Sequence, residues 1–496
     1  LRQKKPLALR ETGTALQRQE RRTKIVATLG PASSGPEMIR KLIDAGVNVF
    51  RLNFSHGSHE THGAAMRDIR RAASEARQPV AVLQDLQGPK MRIGELVGHR
   101  PVNLSAGDSV HITTEAVAGT AARISTTYAA LPDDVRKGDV ILLDDGRLQL
   151  RVTAVAGREV QTEVLVGGAL DEHKGMNLPH TPLSASCLTE KDLDDLRFGI
   201  GAGVDYVGLS FVRRRSDIED LRRSAKSAGR DVPVIAKIER IEAVENLEEI
   251  VAAADGVMVA RGDLGVETSA AEIPILQKQI LAAAGRRGKP DITATQMLET
   301  MVSNPQPSRA EATDIANAVF DGTGALMLSA ETAVGKYPVE AVRMMSEIAL
   351  AAERHLSEYR RPFAREKAAG PRGIAEASVR AACVAAQELG AAAIAVFTLS
   401  GRTALLVSAR RPSAPVLAFT PSEETCRRLA LAWGVRPMLS EMAVSPEALV
   451  AITERAVRAC ECVQPGDLVI LLVGSTTVPG ATNMMKVHRV DGGGTG

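Results

Sequence analysis

Eight short apolar runs, each followed by a helix-like stretch and most ending in polar residues, constrain this chain more than any other feature. They cover residues 24–30, 47–55, 79–86, 205–212, 232–239, 256–263, 290–296 and 325–331. Runs of this length suit buried strands, and strands that alternate with helices imply a parallel sheet. Eight such units predict a closed (β/α)8 barrel, whose chemistry lies at the C-terminal ends of its strands. The polar residues that fall there are Thr28, Arg51, Asn53, Ser55, Asp85, Ser210, Lys237, Glu239, Asp263, Thr295, Ser329 and Glu331. A barrel that served stability alone would have no need to collect them at one end.

The unit at 232–267 is the most informative. Lys237 and Glu239 are two apart, so they project from the same strand face. One helix is expected through Ile241, Val244, Leu247 and Val251, which recur at helical spacing. If the flanking strands are parallel neighbours, Asp263 arrives beside Glu239. An ammonium with two carboxylates suits a divalent cation and a phosphorylated anion. The same residues also make a pair of salt bridges at a sheet edge, and spacing alone leaves both readings open. His56, His59 and His62 recur every three residues, but no fourth zinc ligand accompanies them. His59 and His62 read as an exposed helix face.

The rhythm breaks at 94–186, where short alternating runs are separated by turns such as Asp144-Asp145-Gly146. This is an inserted all-β domain, expected as a small barrel. The catalytic barrel is therefore expected from 21–93 and 187–355. Beyond a polar linker at Arg360-Arg361-Pro362, residues 356–496 read as a separate α/β domain. Its strand-to-helix turn, Thr398 to Thr403 with Ser400, Gly401 and Arg402, presents backbone N–H groups and a helix dipole to a phosphate. A plain strand-to-helix turn is the alternative. A glycine-rich loop at 474–483 could close over the same place. Residues 1–20 are polar, without apolar periodicity, and read as a mobile tail.

Composition excludes several classes. A formal charge of +2 gives no global reason to bind nucleic acid or an anionic membrane. Five scattered cysteines make no disulfide framework, so a reducing, cytoplasmic compartment is expected. Cys460 and Cys462 read as helix packing. The most apolar stretch, 391–399, is too short to span a bilayer.

The segments KIVATLGPAS, RLNFSHGS, LQDLQGPKMR, LLDDG, KGMNLP, LTEKD, IAKIER, VMVARGDLGVE, TATQMLETM, SRAEATDIANAVFDGT and MLSAETAVGKYP carry a resemblance to the pyruvate kinase family over about 450 residues. The resemblance implies phosphoryl transfer from phosphoenolpyruvate to ADP, giving pyruvate and ATP. It implies Glu239 and Asp263 as ligands of Mg2+ or Mn2+, Lys237 as the essential lysine, and Arg51 and Arg92 as phosphate-holding groups. Ala260, Gly262 and Asp263 would present backbone N–H groups to the substrate carboxylate. Thr295 would lie where the enolate is protonated, with Ser329 and Glu331 on the proton route. Thr28, Asn53, His56 and Lys174 match nucleotide-contacting positions, Lys174 from an inserted domain that closes as a lid. A homotetramer, with a sugar phosphate or AMP as effector, is the family's usual form.

Departures from the family pattern accompany it. Lys90 and Leu86 stand where potassium-dependent members carry Glu and Thr, around a cation site that Asn53, Ser55 and Asp85 would line; K+ is therefore not expected to be required. Asp291 replaces an apolar residue and needs a partner or a raised pKa. Gly324 stands where Asp is usual, Gln306 where Arg is frequent, and Leu399 where some members have a basic residue. A catalytically weak homologue that senses a phosphometabolite is the alternative to an active enzyme.

Overall fold

The computed structural model describes residues 21–359, 373–441, 446–459, 463–474 and 482–490. The tail, the linker at 360–362, Cys460, Cys462 and most of the 474–483 loop lie outside them.

Eight parallel strands close a barrel: β1 (Lys24–Thr28), β2 (Val49–Asn53), β3 (Ala81–Asp85), β4 (Tyr206–Leu209), β5 (Val234–Ile238), β6 (Gly256–Ala260), β7 (Asp291–Ala294) and β8 (Ala325–Leu328). Each pairs with its sequence neighbours, and β8 returns to β1. Outward residues such as Ile25, Phe50 and Val257 pack under the helices, and inward ones such as Val26, Ile235 and Met258 fill the barrel. Both faces of each strand are thus buried, which is why these runs are continuously apolar.

Strands end earlier than sequence pattern suggests, for local reasons. The sixth run bends after Ala260 into the helix Arg261–Glu267. Arg261 turns inward, and its guanidinium donates to the carbonyls of Ala294, Thr295 and Gln296. The eighth run likewise stops at Leu328, before the short helix Ala330–Ala333. The single helix expected after β5 is two, Ile241–Glu245 and Leu247–Ala253. Asn246 stands at the break, its side-chain amide donating to Arg213 O at 2.9 Å.

The insertion between β3 and β4 is all-β. A six-stranded sheet and a two-stranded ribbon share one core containing Ile93, Val110, Ile112, Ile141 and Leu150. Hydrogen bonding does not close the ring, so the expected small barrel is an open one. The C-terminal domain is a five-stranded sheet, β9 (Ala393–Phe397), β10 (Val416–Thr420), β11 (Val435–Leu439), β12 (Leu468–Gly474) and β13 (Thr482–Arg489), in the order β11-β10-β9-β12-β13, with only β13 antiparallel. Strands β11 and β13 escape the sequence reading because they are edges: Pro437 interrupts one, and charged residues line the other.

This domain plugs the N-terminal end of the barrel. Ala430 and Leu431 join the inward core of Val26, Val49, Ile235 and Met258. Tyr206 donates its hydroxyl to Arg428 O at 2.8 Å, and Lys24 Nζ to Val435 O at 2.7 Å. Asp291, at the start of β7, lies here. Burial raises its pKa, and it has partners: Gly324 N donates at 2.6 Å, Thr323 Oγ1 at 3.3 Å, and Arg411 Nη2 of the C-terminal domain lies 3.8 Å away. A Cβ on Gly324 would come 3.3 Å from the Asp291 carboxylate, so the missing side chain makes room for that group. The three free cysteines among the described residues, Cys187, Cys383 and Cys426, form no disulfide. None of the described helices is long and apolar enough to cross a membrane.

Candidate active site

Polar groups converge on Lys237 at the C-terminal end of the barrel. Its Nζ lies 2.8 Å from Glu239 Oε1 and 3.1 Å from Asp85 Oδ1, and donates to Ser210 Oγ at 2.7 Å. The two carboxylates pair with the ammonium by charge, and Ser210 takes its hydrogen bond. Burial opposes the charge on Lys237, but Asp85 and Glu239 outweigh it and raise the pKa. For Asp85, burial is outweighed by Lys237 and Arg51, and the carboxyl is held below its ordinary range. Arg51 Nε donates to Asp85 Oδ2 at 2.6 Å, and its Nη1 to Thr28 Oγ1 at 3.1 Å. The Thr28 hydroxyl donates in turn to Leu328 O at 2.9 Å. Thr28 is buried and supports Arg51 from below.

Glu239 Oε2 accepts from Phe211 N at 2.8 Å. Burial pushes the Glu239 carboxyl up to about 6 despite Lys237, and the charge of Asp263 adds to the rise. Asp263 itself is exposed, in the first turn of the Arg261–Glu267 helix. The charge of Asp263 disfavours ionisation of Glu239, and a hard divalent cation between the two carboxylates would relieve that, so the residues fit one. Among the described residues no group of three or more His, Cys, Asp or Glu could hold a metal. The expectation of an exposed face for His59 and His62 needs correction. His59 accepts or donates at 2.7 Å with Asp195 and stacks on Phe198, and His62 stacks on Phe54.

Lys90 faces this cluster. Burial lowers its pKa, as do Arg92 and Lys237, while Asp263 and Asp85 act the other way. The turn before it depends on Gly88, at φ +70°, where a Cβ would come 2.7 Å from the Phe211 ring. Arg92 stands at the root of the inserted domain, donating from Nη1 to His173 O at 2.7 Å. Lys174 follows, 2.9 Å from Asp144. His56 is exposed after β2, its pKa lowered by burial and by Lys90, Arg92 and Arg51. Asn53 Oδ1 accepts from Ser55 N at 3.1 Å, closing that turn.

Thr295 has φ +67°, and Gln296 φ +55°. A β-branched residue in that region is strained, and such strain concentrates at functional sites. Thr295 Oγ1 accepts from Gly262 N at 2.9 Å. Of the backbone donors at Ala260, Gly262 and Asp263, that of Gly262 is therefore already engaged. Glu331 is buried and accepts from Ser329 N at 2.7 Å and Leu298 N at 3.0 Å, so its carboxylate shapes both loops. In the C-terminal domain, Thr398 Oγ1 accepts from Gly401 N at 2.9 Å, and Thr403 shares a 2.5 Å hydrogen bond with Thr482. Ser400 and Arg402 are exposed beside them.

Comparison with known proteins identifies this arrangement. The pyruvate kinase barrel-domain profile matches residues 20–342, and the pyruvate kinase alpha/beta-domain profile matches 376–488. The chain belongs to the pyruvate kinase family. It is 46% identical to pyruvate kinase 2 of Synechocystis, covering 95% of this chain and 79% of that one. It is 45% identical to the pyruvate kinase of Geobacillus stearothermophilus, covering 95% and 81%. The crystal structure of a pyruvate kinase from Cryptosporidium parvum superposes with a TM-score of 0.88 at 34% identity, covering 95% of this chain and 96% of that one. Pyruvate kinases are transferases of glycolysis, and this chain has their barrel and C-terminal domain.

Within that family framework, two groups of the site went unassigned from sequence. Ser210 was visible as a polar strand end, yet its bond to Lys237 depends on β4 and β5 being neighbours. The Phe211 N–H that holds Glu239 left no trace in the side-chain pattern, although Phe211 has φ +56°.

Proposed function

We propose that this chain is an active pyruvate kinase that transfers the phosphoryl group of phosphoenolpyruvate to ADP, giving pyruvate and ATP. The observation that carries this reading is Lys237, charged and fixed between Asp85, Glu239 and Ser210 at the barrel mouth. Its ammonium is placed in advance, so it costs little reorganisation as negative charge moves onto the bridging and enolate oxygens. Arg51 and Arg92 would hold the phosphoryl group, planar forks matched to phosphate oxygens. Glu239 and Asp263 would hold Mg2+ or Mn2+, which when bound supplies neutralisation of substrate charge. The Ala260–Asp263 backbone would bind the substrate carboxylate. Thr295, with Ser329 and Glu331 behind it, would place a proton at the methylene carbon of the enolate. Thr28, through Arg51, together with Asn53, His56 and Lys174, would serve the nucleotide side.

Further properties belong to the same proposal. Residues 21–93 and 187–355 form the catalytic barrel, 94–186 the lid, 356–496 a regulatory domain, and 1–20 a tail. K+ is not required, because Lys90 brings a fixed positive charge to the site. A sugar phosphate or AMP would bind at Thr398, Ser400, Gly401, Arg402 and Thr403. The enzyme would be a cytoplasmic homotetramer. The sensor reading loses support because Asp291 and Gly324 are mutually accommodated at the end of the barrel opposite the chemistry. A coupled assay of pyruvate formation tests the proposal: turnover that needs a divalent cation is expected, and turnover unchanged by chelation would overturn the metal assignment.

A further inference from the structure

The chain comes back from the lid along residues 178–189, an irregular segment that two arginines grip. Arg240 Nη2 donates to Leu178 O at 3.1 Å and Thr181 O at 3.4 Å. Arg213 Nη1 donates to Leu183 O, and its Nη2 to Ala185 O at 2.7 Å. Four carbonyls of one short segment are thus held by two guanidinium groups from the loops after β4 and β5.

Arg240 is the more informative of the two. It directly follows Glu239 and is 1% exposed, heading the fully buried side chains by volume. Its Nε and Nη2 donate to Glu242 at 3.0 and 3.1 Å. Its Nη1 lies 3.2 Å from Glu267 Oε1, an ion pair without an aligned hydrogen bond. Glu267 ends the helix that carries Asp263. One planar group therefore touches the segment after Glu239, the helix of Asp263 and the lid's return segment. Burying a charge this deeply is a poor route to stability alone, since an apolar side chain of similar volume would serve as well.

We propose that Arg240, assisted by Arg213, is the positioning residue that anchors the lid's return segment to the barrel mouth, so that it sets the angle at which the lid closes over a nucleoside diphosphate. This rests on the proposed reading of 94–186 as a lid and of the barrel mouth as the active site. Loosening the clamp lets the lid, with Lys174, settle at other angles, while groups rooted in the barrel keep their places. Binding of ADP suffers and binding of phosphoenolpyruvate does not.

The test combines kinetics with hydrogen exchange on the full-length chain. Arg240→Met is expected to raise the KM for ADP about tenfold or more, the usual scale for partners behind a first set of ligands. The KM for phosphoenolpyruvate should stay within about twofold. Mg2+ and ADP together should slow amide exchange across 178–185 in the unmodified protein and not in the variant. Glu242→Gln, at a partly exposed position, should shift both readouts in the same direction by less. Parallel rises in both KM values would overturn the proposal, because a general loss of structure does that. If Arg240→Met does not fold, the unmodified protein and Glu242→Gln decide: exchange at 178–185 that ignores Mg2+-ADP overturns the clamp. Exchange protection without any turnover would count against the enzymatic reading and leave the clamp standing.

Discussion

Asp291 and Arg411 meet across the boundary between the barrel and the C-terminal domain, with Arg411 Nη2 3.8 Å from Asp291 Oδ2. Arg411 also donates to Gly322 O at 2.6 Å and Thr323 O at 3.2 Å, and lies over the Trp433 ring at 4.5 Å. The carboxylate that stands out in the seventh strand is therefore one end of an interdomain contact, and its neighbour Gly324 leaves it the space.

Replacing that carboxylate gives the first prediction. Asp291→Val strips the acceptor from Gly324 N and leaves Arg411 facing an apolar side chain. Losing one partner of a buried pair costs about 3 kcal/mol, so Tm should fall by several degrees in a thermal melt. The kinetic constants should stay close to those of the unmodified enzyme, since β7 begins at the end of the barrel remote from Lys237. A higher Tm would show that the carboxylate is a burden and the contact decorative.

Lys237→Met should lower kcat about a thousandfold while changing the KM for phosphoenolpyruvate little, because the ammonium acts on charge that develops during transfer. Steady-state kinetics on a variant shown by circular dichroism to be folded provides the measurement. Near-normal kcat would remove Lys237 from the chemistry.

Much of this site was legible before the fold was known. The two-residue spacing of Lys237 and Glu239 puts them on one strand face, and they do meet. Thr295 was legible as a strand-end residue, although its backbone strain was not. Contacts made between distant elements were hidden: His59 finds Asp195 and Phe198 on a helix far along the chain, and nothing in its own helix announces that. The role of Arg240 is hidden for a different reason. It lies just past the strand, where pattern expects a solvent-facing turn, and only the packed lid shows why it is buried.

Lys90 sets the monovalent-cation prediction. Asp85, which would line a potassium site, is already paired with Arg51 and Lys237, and Lys90 adds its own charge nearby. Full activity is expected in tetramethylammonium buffer without K+. Lys90→Glu should create a K+ requirement, incomplete because Leu86 remains. Strong K+ activation of the unmodified protein at constant ionic strength would contradict this.

Glu267 supplies a pH dependence. Burial pushes its carboxyl up to about 7, with Glu242, Asp263 and Glu239 adding to the rise and Arg240 opposing it. An acid raised in the folded state keeps a proton that the unfolded chain releases. Its contribution is therefore fully present below about 4.5 and is lost as pH climbs to about 7, amounting to about 3 kcal/mol. In metal-free protein, Glu267→Gln should gain in Tm relative to the unmodified chain as pH rises through that window. A Tm difference independent of pH would mean that Glu267 is ionised throughout.

The most direct test of the account follows phosphorus itself. Phosphoenolpyruvate and ADP are mixed with the enzyme and Mg2+, and the 31P resonances are recorded with time. The account predicts that the phosphoenolpyruvate signal is replaced by those of ATP, with pyruvate formed in equal amount, and that chelation stops the exchange. Phosphoenolpyruvate that binds but stays unconverted, or that yields inorganic phosphate in place of ATP, would contradict it.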